Sequence, residues 1–255
     1  MAELLAAAVL GGVGLIYAVG LSRRRRLVRR SQVRYFVAAQ VVLAVALVMP
    51  HESLTAHMVQ HVLLLVVAAP LLAMGAPLPT LLWALPDRRR EWALGLWRAC
   101  LLGHARKWAL WVGTALLAQS VAMLAWHAPS LYEAAVGHGV VHVLQHASYL
   151  VTATAFWWAI GLGPTGRHGA AVPVLFAAAL PGTVLGAGLT LAGTPWYDAY
   201  PSLSDQPLAG VVMWGFAGLA YVLAAACVFG LWLKGLERET PARPLEPATT
   251  RGGAR

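Results

Sequence analysis

The sequence predicts an all-α membrane protein, a polytopic bundle of seven transmembrane helices. Two observations lead to this fold class. The 255 residues are 59% hydrophobic and only 11% charged, with a mean hydropathy of +0.66, whereas soluble domains carry about 25% charged residues. The apolar residues also gather into stretches of about 20 residues, the length that a helix needs to cross a bilayer. This composition argues against a water-soluble globule and excludes a disordered chain.

Seven stretches are long and apolar enough to form spans. Their approximate limits are Glu3 to Leu21, Val33 to Pro50, Leu54 to Gly75, Trp108 to Ala125, His138 to Leu162, Ala171 to Gly193 and Leu208 to Leu233. A basic block follows the first stretch and none precedes it, so we expect this stretch to remain as a helix. One integral membrane domain, residues 1–237, and a disordered cytoplasmic tail, residues 238–255, are therefore predicted.

The distribution of positive charge predicts the orientation. If the amino terminus lies outside, all 19 Lys and Arg residues fall on the cytoplasmic side, and the outer loops carry only acidic charges. Because the Lys and Arg bias of short loops sets the orientation of a membrane protein, we expect the amino terminus out and the carboxyl terminus in. The net charge of +9 is then a topology signal, and no nucleic acid is expected as a partner.

The cytoplasmic segment between the third and fourth spans has the composition of an interfacial helix. Residues Asp87 to Lys107 mix tryptophans with arginines. Aromatic and basic side chains together anchor a helix in the headgroup region and attract anionic lipid. Membrane lipid is therefore an expected partner of this segment.

Histidines concentrate in the outer half of the predicted bundle. The third span contains His57 and His61, and the fifth contains His142 and His146, each pair within the pattern H-x-x-Q-H. Residues four apart share one face of a helix, so each pair forms a stripe, which His138 extends by one turn in the fifth span. Both spans run from outside to inside. If the stripes face each other, four or five imidazoles lie within reach just below the outer surface.

Clustered ionisable groups inside a membrane are functional by default, so we interpret these stripes as a metal or cofactor site rather than as interhelical hydrogen bonds. The predicted core ligands are four histidines, His57, His61, His142 and His146. Two further histidines, His127 and His138, would meet the ion first or replace another ligand. The thioethers of Met58 and Met213 are predicted as additional soft ligands. The amides of Gln60 and Gln145 are predicted to orient the rings. Glu133 and Asp205 are the nearby acids, and Asp205 is a helix N-cap candidate before it is a ligand.

Three cofactors compete for these residues. Imidazole together with thioether suits copper, especially Cu(I), and no cysteine lies on the outer side. A haem with two histidine ligands could use the same stripes, but the outer side has no Arg or Lys for its propionates. A di-iron centre needs carboxylates, which only Glu133 and Asp205 supply. We therefore place copper first, haem second and di-iron third.

Aromatic residues mark two outer turns. One contains Trp126 to Pro129 followed by Tyr132, and the other runs from Trp196 to Pro201. Aromatic side chains at this level commonly form an interfacial belt. A lid over the histidines is the alternative, and the sequence does not choose between the two.

Several blocks of the sequence, in order, resemble the CtaG family of cytochrome c oxidase assembly factors, over about Val33 to Leu233. The blocks are His57-Met58-Val59-Gln60-His61 with Ala69-Pro70-Leu71-Leu72 and Gly75-Ala76-Pro77; Trp126-His127-Ala128-Pro129, Leu131-Tyr132-Glu133, His138, His142, Gln145-His146 and Phe156-Trp157-Trp158; and Asp205-Gln206, Leu208-Ala209-Gly210 and Met213-Trp214. Pro207 departs from the polar residue expected after Gln206.

The resemblance implies a non-enzymatic, multi-pass protein of the bacterial cytoplasmic membrane that helps to load copper into a haem-copper oxidase. The expected partners are the catalytic subunit of that oxidase and an extracytoplasmic copper donor protein. A homo-oligomer stays open. So do two other functions: a haem-binding electron-transfer or haem-handling protein that uses the same histidines, and a cofactor-free scaffold for oxidase assembly.

Overall fold

The computed structural model describes residues 2–50, 52–161 and 168–239, and the backbone alone at residues 2–6, 100–106 and 239. These residues form an all-helical structure. The α-helices, in chain order, are α1 (Ala2–Arg24), α2 (Arg30–Val48), α3 (Leu54–Val62), α4 (Ala69–Gly75), α5 (Pro77–Leu82), α6 (Asp87–Arg106), α7 (Trp108–Trp126), α8 (Pro129–Gly137), α9 (Gly139–Gly161), α10 (His168–Leu191), α11 (Gln206–Val211) and α12 (Ala217–Glu239).

Five helices in the described ranges are long and apolar enough to cross a membrane. They are Arg30–Val48, Leu54–Gly75, Trp108–Trp126, His168–Leu191 and Gln206–Arg238. Two further predicted spans form α1 and α9, each 23 residues long. Large apolar side chains such as Leu180 and Val184 are exposed on the helix surfaces, as expected for contact with lipid. The chain is thus a helical membrane protein, and the count of seven spans stays a prediction.

The predicted limits of the spans lie close to those of the helices. The last helix is the exception, because α12 continues to Glu239, two residues into the predicted tail. Residues 240–255 of that tail, and the outer histidine His51, lie outside the described residues. The cytoplasmic segment predicted to be an interfacial helix forms α6, in which Trp92 is exposed.

The third span contains a π-helical segment, Leu63–Ala68, between α3 and α4. Pro70 follows at the start of α4 and has no backbone N–H. A π-helical bond would run from residue 70 to the carbonyl of Leu65, so this proline leaves that carbonyl without its partner. The indole N–H of Trp157 on α9 donates to the Leu65 carbonyl instead, at 2.9 Å. This bond joins the two helices that carry the histidine stripes, directly below the histidines.

The helix α9 packs against four other helical segments on one side and exposes residues such as Val151 on the other. It contacts α4, α7, α8 and the π-helical segment, while α10 packs against α7, α11 and α12. One apolar cluster surrounds Met58, Tyr149 and Met213, and another surrounds Trp108, Phe156 and Tyr221. Glycines bring α10 and α11 together, since a Cβ on Gly186 would lie 2.7 Å from the Gly210 carbonyl oxygen. Small residues at such a crossing are typical of helix packing in membranes.

The basic residues and the histidine stripes lie at opposite ends of the bundle. Arg23 donates to the carbonyl oxygens of Trp83, Ala84 and Leu85, which joins the end of α1 to the connection between α5 and α6. The histidines, in contrast, occupy the first turns of α3 and α9 and the residue that follows α7. A segment without helix, residues 192–205, covers this second end.

Candidate metal centre

Three of the predicted ligands, His57, His142 and His146, form a group that could hold a metal ion. Each offers one ring nitrogen, and these three atoms lie within 4.8 Å of one another. His57 is fully buried and His146 is buried, whereas His142 is half-buried. The ring centroids of His57 and His142 are 5.1 Å apart, and those of His142 and His146 are 4.2 Å apart. The stripes on α3 and α9 therefore face each other. We call His57, His142 and His146 the three-histidine group.

His61 lies one helical turn from His57 and borders the same group. Its ring centroid is 4.5 Å from that of His57 and 5.3 Å from that of His146. Only 2% of His61 is exposed, and neither of its ring nitrogens has a hydrogen-bond partner among the described residues. Buried polar atoms are normally paired, so two such nitrogens on one ring are an exception that calls for a ligand.

His127, the residue after α7, adds a fifth ring. Its centroid is 5.7 Å from that of His61. Its Nδ1 lies 2.7 Å from the carbonyl oxygen of Met123 and 3.1 Å from the hydroxyl of Tyr149. A carbonyl oxygen only accepts hydrogen bonds, so Nδ1 carries the proton and the lone pair is on Nε2. That Nε2 is buried and has no hydrogen-bond partner in the described part of the chain.

Two tyrosine hydroxyls hold the ring of His57. The hydroxyls of Tyr132 on α8 and Tyr200 in the segment 192–205 lie 3.0 Å and 3.1 Å from Nδ1 of His57. Burial, and the nearby carboxylates of Asp205 and Glu133, raise the pKa of Tyr200 to about 12. The Tyr200 hydroxyl is therefore protonated at neutral pH. Since these hydroxyls contact Nδ1, Nε2 is the nitrogen of His57 that could bind a metal ion.

The segment 192–205 lies over the histidines as a lid, the alternative that the sequence left undecided. The Tyr197 hydroxyl donates to the carbonyl oxygen of His127 at 3.0 Å, and the Tyr197 ring stacks on Tyr132 with centroids 3.8 Å apart. Gln206 is fully buried and anchors this segment, because its Oε1 accepts from the Trp196 N–H at 2.8 Å and its Nε2 donates to the Thr194 carbonyl at 3.1 Å. Tyr197 and Tyr132 are thus buried inside the fold.

The two acidic residues lie outside the three-histidine group. The Asp205 side chain makes no capping hydrogen bond to its own helix, α11. It instead accepts from the backbone N–H of Thr55 at 3.1 Å and from the Thr55 hydroxyl at 2.6 Å, at the start of α3. The Glu133 carboxylate accepts from the backbone N–H of Ala199 at 3.2 Å. Both carboxylates therefore fix the lid and α3, and the three-histidine group contains no carboxylate.

The structure does not bring His138 to the other histidines. This residue precedes α9, in an extended conformation at the end of α8, and is exposed. Its Nδ1 lies 3.3 Å from the Ala134 carbonyl oxygen, one turn back along α8. The sequence interpretation extended the α9 stripe to position 138 by helical periodicity, but the helix starts one residue later and the ring turns back to α8.

Neither predicted ring-orienting amide is seen to bond a histidine. Gln60 donates to the Met49 carbonyl oxygen at 2.7 Å, so it joins α3 to the end of α2. Gln145 is fully buried beside Tyr149, whose hydroxyl contacts His127. Tyrosine hydroxyls contact the ring nitrogens of His57 and His127, which is the role predicted for the glutamine amides. The thioethers of Met58 and Met213 lie in the apolar cluster with Leu54 and Tyr149, and their role as soft ligands stays a prediction.

Comparison with known proteins identifies the family. Residues 15–235 match the family described as cytochrome c oxidase caa3 assembly factor (Caa3_CtaG). The chain belongs to this family. No curated protein and no solved structure was found to match it. The matched range of this assembly factor includes every histidine of the site and the whole lid.

The sequence interpretation missed the tyrosines as part of the site. Tyr132, Tyr149, Tyr197 and Tyr200 are all buried around the histidines. The signal was present in the sequence, since three of the four fall in the two aromatic outer turns. Those turns are adjacent only in three dimensions, so the sequence could not show which hydroxyl meets which ring.

Proposed function

We propose that this assembly factor binds copper in an outward-facing intramembrane histidine cluster and assists its delivery to the catalytic subunit of a haem-copper oxidase. The observation that carries the proposal is the three-histidine group, with its nitrogens within 4.8 Å of one another. Nitrogens that share a tetrahedral metal at about 2.0 Å are about 3.3 Å apart. The three nitrogens must therefore approach one another by up to about 1.5 Å to share one ion.

Two properties of the cluster support monovalent copper over a divalent ion. All the nitrogen donors are neutral imidazoles, and the acidic side chains nearest to them, Asp205 and Glu133, bond elsewhere. The cost of transferring an ion out of water rises with the square of its charge, so without anionic ligands a divalent ion is about four times as costly to bury. Imidazole, with the thioethers of Met58 and Met213 in the apolar cluster that includes Tyr149, also suits Cu(I).

The direction of transfer follows from the proposed topology. Seven spans with the amino terminus out and the carboxyl terminus in place the basic end in the cytoplasm and the histidine end at the extracytoplasmic face. A donor protein outside the cytoplasmic membrane of a bacterium would deliver copper beneath the lid. The oxidase subunit in the same membrane would receive it. Binding and release by exchange of neutral ligands need no catalysed reaction, so we propose a non-enzymatic role.

The cluster gives less support to the other functions considered. A haem would have to separate rings whose centroids are 4.2 to 6.2 Å apart. A scaffold without a cofactor would use its histidines to join helices, but the two nitrogens of His61 join nothing that the structure describes.

Metal analysis of the purified protein tests the proposal. We expect one copper ion per chain in the wild type and none in the triple variant His57→Ala with His61→Ala and His146→Ala, which keeps only one of the four core histidines. His138→Ala is the matched control, since His138 lies outside the cluster, and it should keep full stoichiometry. Thermal unfolding verifies that the variants fold. Copper retained in the triple variant, or a Soret band in the pure wild-type protein, would overturn the assignment.

A further inference from the structure

A second pair of histidines lies beside the three-histidine group. His61 and His127 have ring centroids 5.7 Å apart, nearly perpendicular to each other at 81°, and their exposed fractions are 2% and 3%. Both nitrogens of His61 and Nε2 of His127 lack hydrogen-bond partners among the residues that the structure describes. Leaving three buried nitrogens unsatisfied in this way is costly, and an ion shared by the two rings would satisfy two of them, one on each ring.

The orientation of His127 is set for ligation. Its Nδ1 proton is donated to the Met123 carbonyl, which leaves the Nε2 lone pair for a metal ion. The hydroxyl of Tyr149 on α9 lies 3.1 Å from the same Nδ1. The hydroxyl of Tyr197 in the lid donates to the His127 carbonyl oxygen. Both α9 and the lid therefore hold His127 in place. Outer partners that fix the tautomer and the ring direction are typical of metal-ligating histidines.

We infer that His61 and His127 form a second position for the copper ion, next to the three-histidine group. This inference rests on the proposed function. His61 is the link between the two positions, because its ring borders His57 and His146 on one side and His127 on the other. An ion could pass between the positions by forming its bonds to His61 and His127 one at a time while it loses those to the three-histidine group. The imidazoles stay neutral and the charge of the ion does not change during this exchange.

One ion occupies the two positions in turn. Two cations a few ångströms apart repel each other strongly in an interior of low dielectric constant, and no anionic ligand among the described residues of the cluster offsets that repulsion. Two alternative positions for one ion give the site a property useful for transfer, since neither set of ligands has to release the ion in a single step.

A double-mutant cycle of Cu(I) affinity tests this inference. The variants are His142→Ala, which weakens the first position, His127→Ala, which weakens the second, and the combination of both. Each single variant leaves one position, so we expect one ion per chain and an affinity loss of about tenfold or less. The combination weakens both, so neither position is intact, and its loss should exceed about a thousandfold, more than the product of the single losses.

X-ray absorption gives a second measurement that does not depend on affinity. We expect about three nitrogen neighbours around Cu(I) in the wild type and two in the double variant His57→Ala with His146→Ala, where the ion moves to His61 and His127. The conservative variant His127→Gln replaces His127→Ala if the latter fails to fold, and His138→Ala should match the wild type throughout. Single losses that simply multiply in the combination, or a His127→Ala change without effect on the His142→Ala variant, would overturn the inference. Failure of the wild type to bind copper would instead refute the proposed function.

Discussion

The Asp205 carboxylate caps α3, a helix 150 residues earlier in the chain. It accepts hydrogen bonds from both the backbone N–H and the hydroxyl of Thr55, two residues before His57. Ser53 also caps this helix, since its hydroxyl accepts from the Ala56 N–H at 3.1 Å. The start of α3 is thus held from two directions, and so is the first ring of the three-histidine group.

Replacement of Asp205 should therefore weaken both the fold and the site. We expect Asp205→Ala to lower the free energy of unfolding by about 1–2 kcal/mol, because the N–H of Thr55 loses its acceptor. Copper affinity should fall as well, since His57 follows in the next turn. Thermal unfolding and metal titration measure the two effects. The matched control is Asp198→Ala in the same lid, where the side chain is exposed; equal effects of the two variants would refute the capping role.

Trp157→Phe tests the bond that replaces the missing donor of Pro70. The substitution keeps an aromatic ring but removes the indole N–H that the Leu65 carbonyl accepts at 2.9 Å. Leaving this carbonyl unsatisfied should destabilise the protein by about 1–3 kcal/mol. Denaturation in detergent micelles provides the measurement. The control is Trp214→Phe, at a position where the side chain is 43% exposed, and it should destabilise the protein much less. An equal loss of stability in both variants would show that loss of ring volume, and not of the hydrogen bond, destabilises the Trp157→Phe variant.

Glycine at position 210 should be required for the crossing of α10 and α11. A Cβ there would overlap the Gly186 carbonyl oxygen and the Thr190 hydroxyl. Gly210→Ala should therefore destabilise the protein by about 1–3 kcal/mol through overpacking. Gly218→Ala on α12 meets nothing within 4 Å and should be neutral or stabilising by up to about 1 kcal/mol. Equal melting temperatures for the two variants would show that the helices can separate without cost.

Copper affinity should depend on pH only on the acid side. Protonated imidazole cannot bind a metal, so the affinity should fall as the pH drops below about 6.5. The pKa of Tyr200, about 12 because of burial and two nearby carboxylates, keeps its hydroxyl protonated up to about pH 10. A titration should thus show constant affinity between about pH 7.5 and 9.5. A change within that range would mean that a tyrosinate forms beside His57.

Much of the fold could be predicted from the sequence because lipid imposes simple rules. Every predicted span coincides with helical structure, and all but the last have similar limits, since apolar length and helical periodicity act within one segment. The facing of His57 and His142 could be anticipated only as a hypothesis, because it depends on how α3 and α9 pack.

The parts that could not be predicted all depend on contacts between distant segments. Asp205 has the sequence position of a cap for α11, yet it caps α3 because the lid crosses over that helix. His138 fits the spacing of the α9 stripe but lies before the helix begins. The tyrosines that hold His57 come from α8 and from the lid, two segments that no local pattern connects to α3.

The position of the bound ion decides whether the histidine cluster is the copper site. Crystals of the protein grown with Cu(I) and measured at the copper absorption edge should show one anomalous peak per chain. We predict this peak among the ring nitrogens of the three-histidine group, or between those of His61 and His127. A peak at any other place, or none in protein that retains copper, would contradict this prediction.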